Sequence, residues 1–175
     1  MSDTKVRPPL DAETKVAEAL VDHKAELRLW LRLLTCTTLL ETEVRKRLRT
    51  QFGETLPRFD LMAQLERVEN GMTLGEVSKR MMVSAGNVTS LVERLVQSGH
   101  LERRIAPNDR RSQLIRLTNA GRIHFRRMAA AHEQWIAELM SGLRARDISA
   151  AMDELAKVKK SLTAAIGATS AENPK

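Results

Sequence analysis

The 175-residue chain reads as a mainly α-helical fold with one small β-hairpin. Three observations predict it. Apolar residues recur at helical spacing over most of the length. Two short capped stretches joined by a tight link, Thr73–Met81 and Ser84–Ser98, form a helix-turn-helix pattern. Only between Leu101 and Leu117 does the period change to strand-like alternation, around a Pro-Asn-Asp turn. The full reading is a winged helix-turn-helix head with N- and C-terminal dimerisation helices.

Residues 1–21 are mixed polar with Arg7-Pro8-Pro9 and read as a flexible arm. Over 22–52, Leu27, Trp30, Leu31, Leu34, Leu39, Val44 and Leu48 keep helical spacing with charges between them, which predicts one long amphipathic helix. Gly53 ends it. Leu56-Pro57 restarts the chain, with Pro near the first turn of a helix over Arg58–Val68 whose apolar face is Phe59, Met62 and Leu65; Asn70-Gly71 stops it. Thr73-Leu74-Gly75-Glu76 has the form of a capping box, so a short helix runs to about Met81. Ser84 caps the next, which buries Val88, Leu91, Val92 and Leu95 and ends at Gly99.

Leu101, Arg103 and Ile105 alternate with Glu102 and Arg104, and Leu114-Ile115-Arg116-Leu117 forms the returning run of the hairpin. Thr118 caps a helix reaching about Ser141, Gly142 breaks it, and a last helix spans about Asp147–Ile166. The expected division is therefore arm 1–21, dimerisation helix 22–52, winged helix-turn-helix 53–121, dimerisation helices 122–167 and flexible tail 168–175. The terminal helices carry more apolar stripe than a small head can cover, which predicts a second copy of the chain as partner.

Hydrophobic residues make up 42% of the chain and aromatics 3%, so the core is aliphatic and Met-rich. A net charge of +7 and a pI of about 10.1 favour a polyanionic partner, nucleic acid or an anionic membrane surface, and composition does not choose between them. Cys36 is the single cysteine: it permits no intrachain disulfide or Cys-based zinc site, and is read as a buried small hydrophobe. No signal core and no stretch near the roughly 18 apolar residues of a membrane helix is present, which predicts a cytoplasmic protein without a membrane partner. His23, His100, His124 and His132 are scattered without carboxylate neighbours and are given no ligand role; neither metal nor cofactor is expected. With no phosphate-cradling Gly loop and no nucleophile elbow, no enzyme reading is supported.

Between Arg94 and Arg127 stand nine arginines against only Glu102 and Asp109. Arginine rather than lysine suits bidentate contact with phosphates and guanine edges. On the side of the second short helix away from its apolar stripe lie Ser84, Asn87, Thr89, Ser90 and Arg94, whose hydroxyl, amide and guanidinium groups suit base edges and phosphates. Ser84 read alone is equally a plain helix cap. Gly86, in that helix's first turn, suits either close phosphate approach or a harmless terminal position.

The run Pro107-Asn108-Asp109-Arg110-Arg111 through Leu117-Thr118-Asn119-Ala120-Gly121 resembles the wing signature of the MarR family, and the resemblance extends over roughly residues 27–165. It implies that the Ser84–Ser98 helix enters the DNA major groove and the wing the adjacent minor groove. Asp109 would orient Arg111 at the wing tip, beside Arg110. The terminal helices would interlock as a two-fold dimer on a pseudo-palindromic operator of double-stranded DNA, as a ligand-released repressor. Leu29–Thr37 with Leu56–Phe59 is similar to a branch governing aromatic-acid breakdown. That similarity implies an aromatic acid or aryl-CoA thioester as effector, with Trp30, Phe59 and Met62 lining an apolar pocket and Arg28, Arg32 and Arg58 pairing its anionic groups; ordinary core packing plus surface arginines remains open. The alternative from another class is a basic helical module that binds anionic surfaces without sequence specificity.

Overall fold

The computed structural model describes residues 24–106 and 109–171, with side chains for 25–105 and 113–167. The expected arm, His23, the Pro107-Asn108 turn and residues 172–175 lie outside the described residues. In chain order the elements are α1 (Lys24–Phe52), α2 (Leu56–Glu66), β1 (Met72–Thr73), α3 (Leu74–Met81), α4 (Ala85–Gln97), β2 (Leu101–Ala106), β3 (Asp109–Leu117), α5 (Asn119–Leu139) and α6 (Ala145–Ala171). Two compact units divide at Glu133/Gln134. Among the described residues no helix is long and apolar enough to cross a membrane.

The core of the first unit is aliphatic and Met-rich: Leu48 of α1, Leu61, Met62 and Leu65 of α2, Val88, Val92 and Leu95 of α4, Ile115 of β3 and Met128 of α5 have no exposed surface. Each such side chain contributes about 1.5–3 kcal/mol relative to exposure. Only the C-terminal part of α1 shares in this core. Val44 and Leu48 are buried, whereas Leu27, Trp30, Leu34 and Leu39 are each about half exposed.

The sheet is antiparallel with order β1-β3-β2. Leu101 pairs with Leu117 and Arg103 with Ile115, and the register becomes irregular between Ile105 and Ala106. β1 adds a third strand to the expected hairpin, pairing Met72 with Ile115 and Thr73 with Leu114. Gly71 makes that approach possible. Its φ is +83°, and a Cβ there would stand 2.6 Å from the Ile115 carbonyl oxygen.

Most boundaries follow local chemistry. Thr73 Oγ1 accepts from the Glu76 amide (3.2 Å) while Glu76 Oε2 accepts from the Thr73 amide (2.8 Å), the reciprocal cap expected of this tetrapeptide. These hydrogen bonds hold the Glu76 carboxyl below its usual range. Met82 ends α3 in the left-handed region, φ 53°, a conformation unusual for a side chain other than Gly or Asn. Ser78 ties this turn to α4 by donating to the Val83 carbonyl (2.6 Å). Helix α2 starts at Leu56 and stops at Glu66, two residues earlier at each end than expected. In the second unit α6 runs to Ala171, past the expected stop at Ile166 and into the segment read as tail.

Asp60 of α2 is half-buried, and burial, with the Glu41 carboxylate, pushes its carboxyl up; Arg45 and His132 pull the other way. A carboxyl whose folded pKa is raised opposes folding once ionised, so this cost appears as pH rises above the ordinary carboxylate range. Asp60→Asn is therefore expected to raise the melting temperature at pH 7, by an amount that shrinks as pH falls toward 4. A melting curve series across that range checks it, and a variant less stable than wild type at pH 7 would contradict the assignment.

Candidate nucleic-acid interface

Helix α4 has two opposed faces. Ser84, extended at ψ 150°, caps it by accepting from the Asn87 amide at 3.4 Å. Val88, Val92 and Leu95 bury one side completely. Asn87, Ser90 and Arg94, spaced i, i+3 and i+7, are exposed together on the other. Thr89 is half-buried and donates to the Ala85 carbonyl (2.9 Å), so its hydroxyl proton is committed within the helix. Gly86 has open space where a Cβ would go. Lys79 and Arg80, exposed on the last turn of α3, the first helix of the helix-turn-helix, add two further cations.

The wing is less freely cationic than its count of arginines suggests. Arg104 and Arg116 both donate to Glu102, Arg104 at 3.1 Å, and the Arg116 hydrogen bond foremost holds the Glu102 carboxyl below its usual range. Arg122 and Arg126 each reach Glu66 of α2 at 2.9 Å. Four of the nine arginines thus brace the head internally. Arg94 and Arg103 are exposed, with no ion pair to a described carboxylate. Asp109, Arg110 and Arg111 open β3, and their side chains lie outside the described residues.

The predicted effector residues do not converge. Phe59 and Met62 are buried, and Phe59 packs its ring against Phe125 (5.5 Å between centroids) and His132 (5.1 Å), so both belong to the core. Arg28 and Arg32 share one face of α1 and line a shallow groove with Ala25 and Leu29, while Trp30, two residues from each, projects elsewhere on the helix. Arg58 lies apart. It donates to Glu54 Oε2 at 3.1 Å, and its Nε is buried without a hydrogen-bond partner. Together with Pro57, Leu91 and the reading-face residues Asn87, Ser90 and Arg94 it lines a cavity of about 340 Å³. Cys36 is exposed on α1 rather than buried, as are most described residues of the N-terminal half of that helix.

The histidines also depart from expectation. His100, in the turn between α4 and β2, stacks on His124 of α5 with ring centroids 4.4 Å apart, and both rings face Glu54. Glu54 is 5% exposed. Burial, then the neighbouring His124, lowers the His100 pKa, with Glu54 opposing and Arg58 adding to the shift. These residues stand far apart in the sequence, and no local spacing announces them.

Fold and face together define a winged helix-turn-helix protein. The sequence model of the MarR family matches residues 52–112. The chain is similar to BadR, a transcriptional activatory protein of Rhodopseudomonas palustris, at 34% identity over 116 residues, 63% of this chain and 66% of BadR, just under two thirds of that relative. Among solved structures it is similar to a MarR family transcriptional regulator from Silicibacter pomeroyi, with 30% identity and TM-score 0.70 over 82% of this chain and 99% of the other. It also shares the fold of a mutant MarR of E. coli complexed with operator DNA, at TM-score 0.67 and 23% identity over 79% and 99% of the two chains. The chain belongs to the MarR family of transcriptional regulators. These relatives are regulators and not enzymes.

Proposed function

We propose that the chain works in the cytoplasm as a homodimeric, sequence-specific regulator, with α4 in the major groove of a pseudo-palindromic operator and the β2–β3 wing in the adjacent minor groove. The observation that carries this reading is the shared exposure of Asn87, Ser90 and Arg94 opposite the buried Val88, Val92 and Leu95. An amide and a guanidinium on one groove-sized face match the bidentate readers of adenine and guanine. Ser84 and Thr89 then serve the helix first and the DNA second, and Asp109, Arg110 and Arg111 supply the minor-groove contact. The exposed apolar residues of α1 and α6 support a second copy as partner.

The test is a gel shift with DNA upstream of the chain's own reading frame, in excess non-specific competitor. Asn87→Ala and Arg94→Ala are each expected to cost about 1–3 kcal/mol of operator affinity while leaving scrambled-DNA binding unchanged. Arg111→Ala is expected to weaken operator binding without altering the melting temperature. Equal wild-type affinity for operator and scrambled DNA would instead mark a basic module without sequence specificity.

An anionic aromatic effector completes the reading. Arg58, which lines the cavity that also holds Asn87, Ser90 and Arg94, would pair the carboxylate there, so ligand and DNA compete for one surface. At about 340 Å³ that cavity suits a single-ring acid better than an entire CoA thioester. A preference of about 1.4 kcal/mol for the DNA-free state gives tenfold release. Calorimetry with aromatic acids and their thioesters separates the two effectors. Release from an operator that overlaps a promoter is repression; the similarity to an activatory protein favours activation as the second reading, and a reporter assay with the operator upstream of the promoter decides.

A further inference from the structure

We propose that Glu54, His100 and His124 form a binding site for one divalent transition-metal cation of the zinc class per chain. The three residues come from the turn after α1, the turn after α4 and the second turn of α5, and one donor atom from each lies within 4.8 Å of the others. Glu54 divides its two oxygens. Oε2 accepts from Arg58 (3.1 Å), while Oε1 faces His100 Nδ1 at 3.9 Å and His124 Nε2 at 3.6 Å. Both gaps exceed hydrogen-bond length. Two donors bound at 2.0–2.2 Å to one tetrahedral cation stand about 3.3–3.6 Å apart, so the carboxylate already lies within a few tenths of an ångström of ligation distance from each imidazole, and closing the site requires the two imidazoles to converge on a common point.

Two further observations point to a missing partner. The Glu54 side chain is only 7% exposed, a position where a carboxylate needs full compensation. His124 Nε2 is buried and makes no hydrogen bond, an unmet requirement that costs about 1–3 kcal/mol. A cation bound between them satisfies both. Two imidazoles and one carboxylate select borderline divalent ions such as Zn²⁺, Co²⁺ or Ni²⁺ over the all-oxygen preference of Mg²⁺ and Ca²⁺. Binding has two local costs: Ser98 Oγ, 3.1 Å from His100 Nδ1, must yield, and the stacked rings must splay. The Arg58 charge, held on the opposite oxygen, weakens the site relative to a closed structural zinc centre.

The test uses the full chain, stripped with chelator and dialysed, titrated with Zn²⁺ by calorimetry and with Co²⁺ by visible absorption. Wild type is expected to bind one equivalent. His124→Gln is expected to lower affinity at least tenfold, since even an outer-shell partner is worth about 10- to 100-fold. Cys36→Ser, which removes the exposed thiol, is expected to bind as wild type. Should His124→Gln fail to fold by circular dichroism, imidazole proton shifts in the wild-type chain replace it, and they must appear on His100 and His124 upon Zn²⁺ addition. Absence of binding, undiminished binding by a folded His100→Gln/His124→Gln variant, or shifts confined to His23 and His132 would overturn the site.

Discussion

Gly121→Ala is expected to destabilise the protein by about 3 kcal/mol or more, at or above the upper end of ordinary overpacking. Gly121 is buried in the first turn of α5, and a Cβ there would stand 2.0 Å from the His100 carbonyl oxygen and 2.8 Å from its carbon. That neighbour is backbone and it is fastened. The Thr118 amide donates to the same carbonyl (3.0 Å), Thr118 Oγ1 donates to the Gly99 carbonyl (2.7 Å), and the Gly121 amide donates to Thr118 Oγ1 (3.0 Å). No rotamer change relieves the clash, so the start of α5 must leave the turn that follows α4. For a chain of this length the melting temperature should fall by about 10 °C. Gly142→Ala is the matched control, because nothing lies within 4 Å of its added Cβ. A wild-type melting temperature for Gly121→Ala would show that α5 is not seated against His100.

The same contact explains what could and could not be read in advance. Caps at Thr73, Ser84 and Thr118 were legible because each is settled within four residues. The alternation of the wing and the buried stripe of α4 were legible for the same reason: side-chain period is local physics. The two-residue β1 was not, since Met72 and Thr73 become a strand only by pairing with Ile115 and Leu114, more than forty residues on. Phe59 illustrates a second limit. An aromatic residue at helical spacing fits a core and a ligand pocket equally, and only the Phe125 and His132 rings packed on it decide for the core.

Free charge is likewise smaller than the sequence suggests, because ion-pair partners come from distant segments. Counting nine arginines ignores partners that arrive from elsewhere, as Glu66 of α2 does for Arg122 and Arg126 of α5. The histidine pair is invisible in the sequence for the same reason: His100 and His124 meet each other and Glu54 only in the fold. Gly121 and Thr118, noted as parts of a family signature, are the groups that seat α5 on the turn holding His100 and bring His124 over it.

Deleting residues from Gly142 onward is expected to yield monomers or insoluble protein and to lower operator affinity by about 10²- to 10⁴-fold, the scale of avidity lost when two linked contacts become one. The basis is apolar surface exposed among the described residues. Met152, Leu155 and Leu162 of α6 are between 47% and 67% exposed, and their spacing keeps them on one stripe. Leu27, Trp30 and Leu34 of α1, at i, i+3 and i+7, are 46–57% exposed. An exposed apolar stripe along a helix, present on each of these two, marks an interface. A two-fold partner matches it, because an isologous contact places the same stripe on both sides and sets two copies of α4 on successive half-sites. Sedimentation equilibrium on the truncated chain, with a gel shift on one and two half-sites, reads both consequences. Leu155→Asp combined with Leu162→Asp provides an independent route: two carboxylates on the stripe cannot both be desolvated without partners, so the dimer should dissociate while the head keeps its fold. A truncated chain that stays a soluble dimer with wild-type operator affinity would refute the terminal-helix interface and leave the reading face of α4 untouched.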